Sequence, residues 1–344
     1  MPRALIIGGT GAIGRATAYR LLSAGWGVDL VGRDPARMPP DLVAAGARFI
    51  PADRDDAGQL RAAFGAGADL LVDNACYTAE HARGVLPYAR DAGSSVMLSS
   101  KAVYVDAAGN HPNSDVAPRF DGPISESQPT MAPRDFDFNS REGYGANKVA
   151  AERVLLDGGA PVTVIRPSKG HGPGARPPRE WIFVKRVLDH RPVVFLANGG
   201  RGGDHPTAAA NVAALIEVAA AKPGQRILNS ADPDTPSAAE IARIVAGQLG
   251  HVWEEVLLDD TAPEGLGETP WDLPHPIVLD TSAAQRLGYT PAGDYASTVA
   301  AEVEWLVSVA QGRASADTLP ADDDPFFAPL LEYAAEDAYL AARD

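Results

Sequence analysis

Tyr144 and Lys148 stand four positions apart in "REGYGANKVAAE" (141–152), a stretch with helical spacing. On a helix that interval puts both side chains on one face, a turn apart. A phenol with a pKa near ~10 is a poor base at neutral pH, whereas a fixed ammonium favours phenolate and brings it toward the working range. The pair suits proton transfer at a carbon bearing oxygen, if a hydride carrier is held beside it.

The carrier's site is legible at the start of the chain. "ALIIGGTGAIGRATAYRLL" (4–22) places Gly8, Gly11 and Gly14 after a short apolar run and at the opening of a helical pattern. Such a loop gives a tight turn, close backbone approach to a pyrophosphate, and amides at a helix N-terminus facing negative charge. Thr10, Ala12 and Ile13 lie between the glycines and are counted with the site. The end of the second strand, "VDLVGRDP" (28–35), has Gly32 where a ribose-binding carboxylate would sit, followed by Arg33. A guanidinium there suits a 2′-phosphate, and Arg15 can add a second positive charge, so NADP(H) is expected over NAD(H). Asp34 binding the ribose keeps NAD(H) possible. In "FIPADRDD" (49–56), Asp53 can accept from the adenine amino group, with Arg54 beside it. Asn74 and Ala75, at the end of "LVDNACY", pass close to the cofactor's ribose.

The elements that must position these residues alternate. Apolar runs at 4–7, 28–31, 47–50, 69–72, 95–99 and 162–165 predict buried strands, and helical patterns separate them. This predicts an α/β fold: a Rossmann-type doubly wound parallel sheet with a smaller, partly irregular C-terminal substrate lobe. The expected division is 1–166 with about 202–222 as the NADP-binding domain, 167–201 and 223–313 as the substrate lobe, and 314–344 as a C-terminal extension. The segment 106–141 is rich in Pro, Asp, Asn and Ser and longer than a connection needs, as lids often are. Its Phe120, Phe136 and Phe138 can close over a substrate. Ser237 with Glu240 forms a capping box, and Gly250 stops the helix that follows.

With the phosphate loop, "MLSSKAVY" (97–104) and "YGANK" in this order, the chain resembles the extended short-chain dehydrogenase/reductase family, which includes nucleotide-sugar epimerases, dehydratases and ketoreductases. The resemblance implies Tyr144 as acid/base, Lys148 as ribose ligand and activator of the tyrosine, and Ser100 as the group orienting the reacting oxygen. "IRPSKGHGPG" (165–174) resembles the family turn where cofactor and substrate meet, which brings in Pro167, Lys169 and His171; Tyr104 is a further substrate candidate. His171 as a loop residue with no role stays an equal alternative. Departures narrow the chemistry. Ser100, Lys101 and Ala102 stand where 4,6-dehydratases carry Thr-Asp-Glu, so the acid and base for eliminating water are missing. The expected activity is an NADP-dependent oxidoreductase acting on a carbonyl or secondary alcohol, of a sugar nucleotide or a natural-product ketone. An epimerase is the alternative, and a non-catalytic NADP sensor or RNA-associated relative is the reading from another class.

Bulk properties bound the partners. The formal charge of −15 over 344 residues opposes diffuse binding of nucleic acid or anionic lipid, so any phosphate site is local. The arginines and lysines of 174–201 can bind a nucleotide diphosphate or pair with surplus carboxylates; pairing is the slightly favoured reading. Cys76 is the only cysteine, which excludes an internal disulfide and a thiolate metal centre and fits a reducing compartment. No metal is expected. No leader or membrane-spanning run is evident, so a cytoplasmic protein with a small-molecule substrate is expected. The resemblance also makes a homodimer possible.

Overall fold

The structure, a computed structural model, describes residues 1–314 and 317–342. Eleven strands are found there: β1 (Arg3–Ile7), β2 (Gly27–Gly32), β3 (Arg48–Pro51), β4 (Leu70–Asp73), β5 (Ser94–Leu98), β6 (Val162–Pro167), β7 (Lys169–His171), β8 (Val193–Leu196), β9 (Pro206–Ala208), β10 (Arg226–Ser230) and β11 (Glu254–Leu257). Seven make one parallel sheet in the order β10-β6-β5-β4-β1-β2-β3. The order reverses between β1 and β4, and the carboxyl ends of strands at such a switch point leave a crevice for a ligand. All six expected strands are present in this sheet. The seventh, β10, falls within the segment expected in the substrate lobe, yet pairs with β6 from Arg226↔Thr163 to Ser230↔Pro167.

The helices are α1 (Ala12–Ser23), α2 (Pro40–Ala44), α3 (Ala57–Phe64), α4 (Ala79–Asp91), α5 (Arg141–Asp157), α6 (Trp181–Leu188), α7 (Ala209–Ala221), α8 (Ala238–Gln248), α9 (Ser282–Arg286), α10 (Tyr295–Ala310) and α11 (Tyr333–Ala341). One face of the sheet is covered by an apolar layer that includes Leu21, Leu30, Val212 and Ile216, the other by one that includes Leu60, Phe64, Val85 and Leu155. Both faces are dry, which is why the central strands read as continuous apolar runs rather than alternating ones. No helix among the described residues is long and apolar enough to cross a membrane.

The lobe has its own core, where Phe183, Trp271, Tyr295, Val299 and Leu306 pack with α8. Phe327, from the C-terminal extension, is buried in it, and Glu336 on α11 makes a buried ion pair with Arg186 at 2.5 Å. The extension therefore packs on its own chain. The two short strands β7 and β9 pair in parallel from Lys169↔Pro206 to His171↔Ala208, fastening the lobe's first loop to the start of α7. Ser237 and Glu240 do form the capping box of α8.

Candidate active site

The loop after β1 is shaped by backbone demands. Gly8 adopts φ +71°, a conformation in the left-handed region that favours glycine. A side chain at Gly14 would bring a Cβ to 2.6 Å from the backbone of Gly9, so only glycine lets α1 sit this close to the turn. Gly11 caps α1 in extended geometry with no side-chain acceptor on the first amides. Those amides, with the helix dipole behind them, are left for an anionic ligand.

From this loop a cleft of about 970 Å³ runs over the carboxyl ends of the strands. Its lining includes Thr10, Arg33, Asp53, Arg54, Ala75 and Tyr144. Arg33 is exposed and Arg37 half-buried beside it, while Asp34 accepts the Ala36 amide at 2.9 Å as the cap of a short turn. Gly32 closes β2 opposite the Phe49 ring, 3.3 Å from where a Cβ would lie. Asn74 has both side-chain polar atoms buried and unpartnered. It shares its cavity lining with Gly11, Ala12 and Ile13, and a buried amide with no partner beside free helix amides fits a ligand rich in polar atoms, as a dinucleotide is.

Two residues expected here are committed elsewhere. Arg15 grips Asp317 through two bonds of 2.8 and 2.7 Å and the Thr10 carbonyl through a third. It lines a different cavity with Trp305 and supports the turn at Gly174, so it supplies no free charge to a 2′-phosphate. Arg54 borders the cleft, but its guanidinium binds Asp73 at 2.7 Å and the His81 carbonyl at 3.0 Å.

A second cavity of about 600 Å³ opens from the same cleft, sharing Gly8, Ala75, Tyr77, Asn113 and Tyr144 with it. Ser100, Lys148, Pro167 and Lys169 line it, with Ile13 and Asn74 at the end toward the glycine loop. Here the candidates meet. Tyr144 sits in the first turn of α5, whose start is fixed by Ser140 accepting the Gly143 amide at 2.9 Å. A Cβ on Gly145 would lie 2.5 Å from the Ala102 carbonyl, so this glycine lets the helix press against the turn that carries Ser100. That approach sets phenol against hydroxyl.

Lys148 is buried and donates to the Leu98 and Cys76 carbonyls at 2.8 and 3.0 Å, with its ammonium 5.9 Å from the centre of the Tyr144 ring. Burial holds its pKa below the ordinary lysine value. Burial raises the phenol's pKa, and what opposes the rise is hydrogen bonding with Ser100 and then the nearby Arg179 guanidinium. Behind the pair, Arg166 on β6 makes a buried ion pair with Glu152 on α5 at 2.5 and 2.9 Å, and Ser99 bonds the same carboxylate. This locks α5 to the sheet one turn beyond Lys148.

The expected substrate contacts divide. Lys169 faces the cavity, pairs with Asp204 at 2.9 Å and donates to the Pro270 carbonyl. Burial, and then Arg179, brings its pKa down to about 7. Tyr104 is corrected: it is fully buried, its hydroxyl donates to Asn229 at 2.6 Å, and the Arg166 guanidinium covers its ring at 4.9 Å. His171 is 2% exposed and bonded to Asp232 at 2.8 Å. Burial alone would lower its pKa, but the Asp232 bond and charge outweigh this and raise it. Its other nitrogen faces Glu302 and Glu180, and the three donor atoms lie within 4.8 Å of one another, a spacing open to a cation. Glu302 is pushed well upward by burial and then by Glu180, which favours its neutral acid form.

Sequence reasoning passed over Asp204, met Lys101 only as a departure from the dehydratase pattern, and counted Arg179 among the basic residues of 174–201. Lys101 is buried and ion-paired to Asp204, and burial, Lys169 and Arg179 all depress its pKa. Arg179 lies in the basic run 174–201. Of that run, Lys185, Arg186 and Arg191 pair with Asp189, Glu336 and Asp337, as the favoured reading had it, while Arg176 and Arg179 turn to the cavity. The long segment 106–141 contributes Asn113, Phe138, Asn139 and Ser140 to the cleft wall; Phe138 stacks on Tyr77 at 5.3 Å. Phe120 packs toward the core instead, and Phe136 is exposed.

Residues 4–225, more than half of the chain, match the NAD dependent epimerase/dehydratase family. A search of curated proteins finds no significant match. Among solved structures, the chain is similar to the UDP-glucose 4-epimerase of Thermus thermophilus in complex with NAD, at 19% identity and TM-score 0.65, covering 89% of this chain and 99% of that one. The dTDP-glucose 4,6-dehydratase of Bacillus anthracis in complex with NAD aligns at 13% identity and TM-score 0.68, over 92% and 100% of the chains. The UDP-glucuronic acid 4-epimerase of Bacillus cereus, in complex with UDP-glucuronic acid and NAD, aligns at 16% and 0.64, over 89% and 99%. Glycine loop, open helix amides, the unpartnered Asn74 and the Tyr144–Lys148 helix all fall within the matched residues, and the chain belongs to the NAD-dependent epimerase/dehydratase family.

Proposed function

We propose that the protein is an NADP-dependent enzyme that oxidises or reduces one carbon of a sugar nucleotide, with Tyr144 as the acid/base. The observation that carries this reading is the meeting of Tyr144, Ser100 and Lys148 in the cavity that continues from the dinucleotide cleft. The dinucleotide, when bound, supplies or takes up the hydride. Tyr144 moves the proton at the substrate oxygen, Ser100 donates to that oxygen, and Lys148 holds the nicotinamide ribose from its anchored position under α5. The open amides of α1, Thr10, Asp53, Asn74, Ala75 and Pro167 serve the cofactor. Arg33 and Arg37 support NADP(H) over NAD(H), because two guanidiniums at the end of β2 match a 2′-phosphate.

Retention of the hydride on the cofactor, followed by its return to the other face of the same carbon, is the second reading. Two solved relatives whose names make them 4-epimerases favour it. Dehydration is disfavoured, since Lys101 and Ala102 stand where the dehydratase pattern has its pair of carboxyl groups.

A panel of UDP- and dTDP-sugars, read by NADPH absorbance and by product NMR, tests the reading. Net cofactor turnover marks an oxidoreductase, and product without net turnover marks an epimerase. Tyr144→Phe is expected to lower kcat by about 10²–10⁴-fold with the NADPH Kd unchanged. Full turnover in that variant would remove Tyr144 from the chemistry.

A further inference from the structure

We propose that Lys101, Lys169 and Arg179 form an anion subsite that receives a carboxylate of the substrate, carried one carbon away from the carbon on which Tyr144 acts. The inference rests on the reading of Tyr144 as acid/base and names the class of molecule that reading leaves open: a hydroxy or keto acid, such as a uronic acid sugar.

The charge inventory of the cavity is the first argument. The chain carries 45 acidic against 30 basic residues, yet this cavity is lined by Lys101, Lys148, Lys169, Arg176 and Arg179 against the single carboxylate of Asp204. A protein with so large an acidic surplus gathers four further cations around Tyr144 and Lys148 only at a cost in desolvation and mutual repulsion. The repulsion is visible in the two lysines. Burial is the first cause of the fall in both pKa values, and Arg179 deepens it in each; Lys169 also acts on Lys101.

Donor capacity is the second. Asp204 must serve both ammoniums, one at each oxygen. Arg179 carries five N–H donors and spends one, on the Gly170 carbonyl at 3.4 Å; it makes no ion pair among the described residues. Glu180 and Glu302 act on it electrostatically but do not line the cavity, and Glu302 is driven toward its neutral form. An unspent guanidinium fork that also acts on the Tyr144 phenol matches the planar, two-point geometry of a carboxylate. A carboxylate bound there completes the charge balance of the cavity and fixes which carbon faces Tyr144. It also relieves both lysines, so each holds its proton more firmly when the acid is present.

The test uses full-length protein loaded with NADPH and follows bound-cofactor fluorescence during titration with two matched pairs: UDP-glucuronic acid against UDP-glucose, and 3-hydroxybutyrate against 3-hydroxybutyramide. The acid of at least one pair should bind about tenfold or more tighter than its neutral counterpart. The preference should fall toward unity in Arg179→Gln and in Lys169→Met, and Arg179→Lys should restore part of it, while NADPH affinity stays at the wild-type value. Equal affinity for acid and neutral partner in both pairs, no binding of either acid, or a preference that survives both variants would overturn the subsite. The two readings fail separately: an acid preference lost in the variants, in a protein that turns over no alcohol or carbonyl, keeps the subsite and removes the activity.

Discussion

The two walls of the active-site cleft are built from different materials. On the cofactor side, the surface is main chain: glycines at 8, 11 and 14, strand ends, and the uncapped amides of α1. The substrate side rests on charged side chains, most of them held in pairs: Lys101 and Lys169 on Asp204 and His171 on Asp232 at the cavity, with Arg166 on Glu152 behind it. A backbone wall tolerates any side chain that points away and fails when a Cβ appears where none fits. An ion-pair wall tolerates changes of shape and fails when one partner is removed and leaves the other buried without compensation.

That contrast is sharpest at Arg166. Arg166→Met leaves Glu152 buried with Ser99 as its one remaining hydrogen-bond partner, so we expect a loss of about 3–5 kcal/mol in urea unfolding. The double variant Arg166→Met with Glu152→Leu removes the stranded charge and should regain much of that loss. Recovery to near wild-type stability would assign the cost to the uncompensated carboxylate rather than to lost packing. No recovery would mean that the ion pair is not what fixes α5.

Gly14→Ala probes the other wall. Its added methyl would stand 2.6 Å from the Gly9 backbone, and overpacking of this kind costs about 1–3 kcal/mol. Because the displaced atoms are the turn proposed to face the pyrophosphate, the change should appear as a roughly tenfold to hundredfold rise in the NADPH Kd, with the unfolding midpoint less affected. A variant that binds NADPH normally would show that the loop has room the backbone geometry denies it.

The same division of materials explains what the sequence disclosed. Backbone requirements leave a local residue signature: Gly8, Gly11 and Gly14 at fixed spacing, the dry strands as apolar runs, Tyr144 and Lys148 a turn apart. All of these are where the spacing predicts, and the expected seat of Arg33 at the end of β2 is the seat it has. Side-chain pairings leave no such mark. Arg15 reads as a phosphate ligand from its place in α1, but its partner Asp317 lies 302 positions away. Asp204 reaches Lys101 only because β7 and β9 pair, and Arg179 is one basic residue among several until the lobe folds around it. Tyr104 reads as a substrate contact from its neighbourhood to Ser100; the turn that exposes Ser100 sends Tyr104 into the core. Gly145 was a readable signal passed over: a glycine directly after the tyrosine permits the approach of α5 to the Ser100 turn.

Arg33→Ser sharpens the comparison where a side chain stands on the backbone wall. Loss of one guanidinium from a 2′-phosphate should raise the NADPH Kd about tenfold, near 1.4 kcal/mol, and leave the NADH Kd unchanged. Fluorescence titration of both cofactors measures it. An equal effect on NADH would assign Arg33 to the shared part of the dinucleotide.

The smallest effect tests the substrate wall through its titration. Lys169 has a folded pKa of about 7, below the ordinary lysine value of about 10.4, so between those limits the unfolded chain binds more protons than the folded one. The sign follows: holding Lys169 in the cavity costs stability below pH 7, and the cost is relieved as pH rises from 7 toward 10. Relative to Lys169→Met, which has no charge to lose, the wild-type unfolding midpoint should therefore climb between pH 6.5 and about 9. The side chain keeps some access to solvent and shares Asp204 with Lys101, both of which damp the change. Titration of the pair as a unit spreads it further, so a gradual rise rather than a step at one pH is expected. Parallel pH profiles for the two proteins would show that Asp204 holds the Lys169 proton throughout, and would move the repulsion in this cavity onto Lys101 and Arg179.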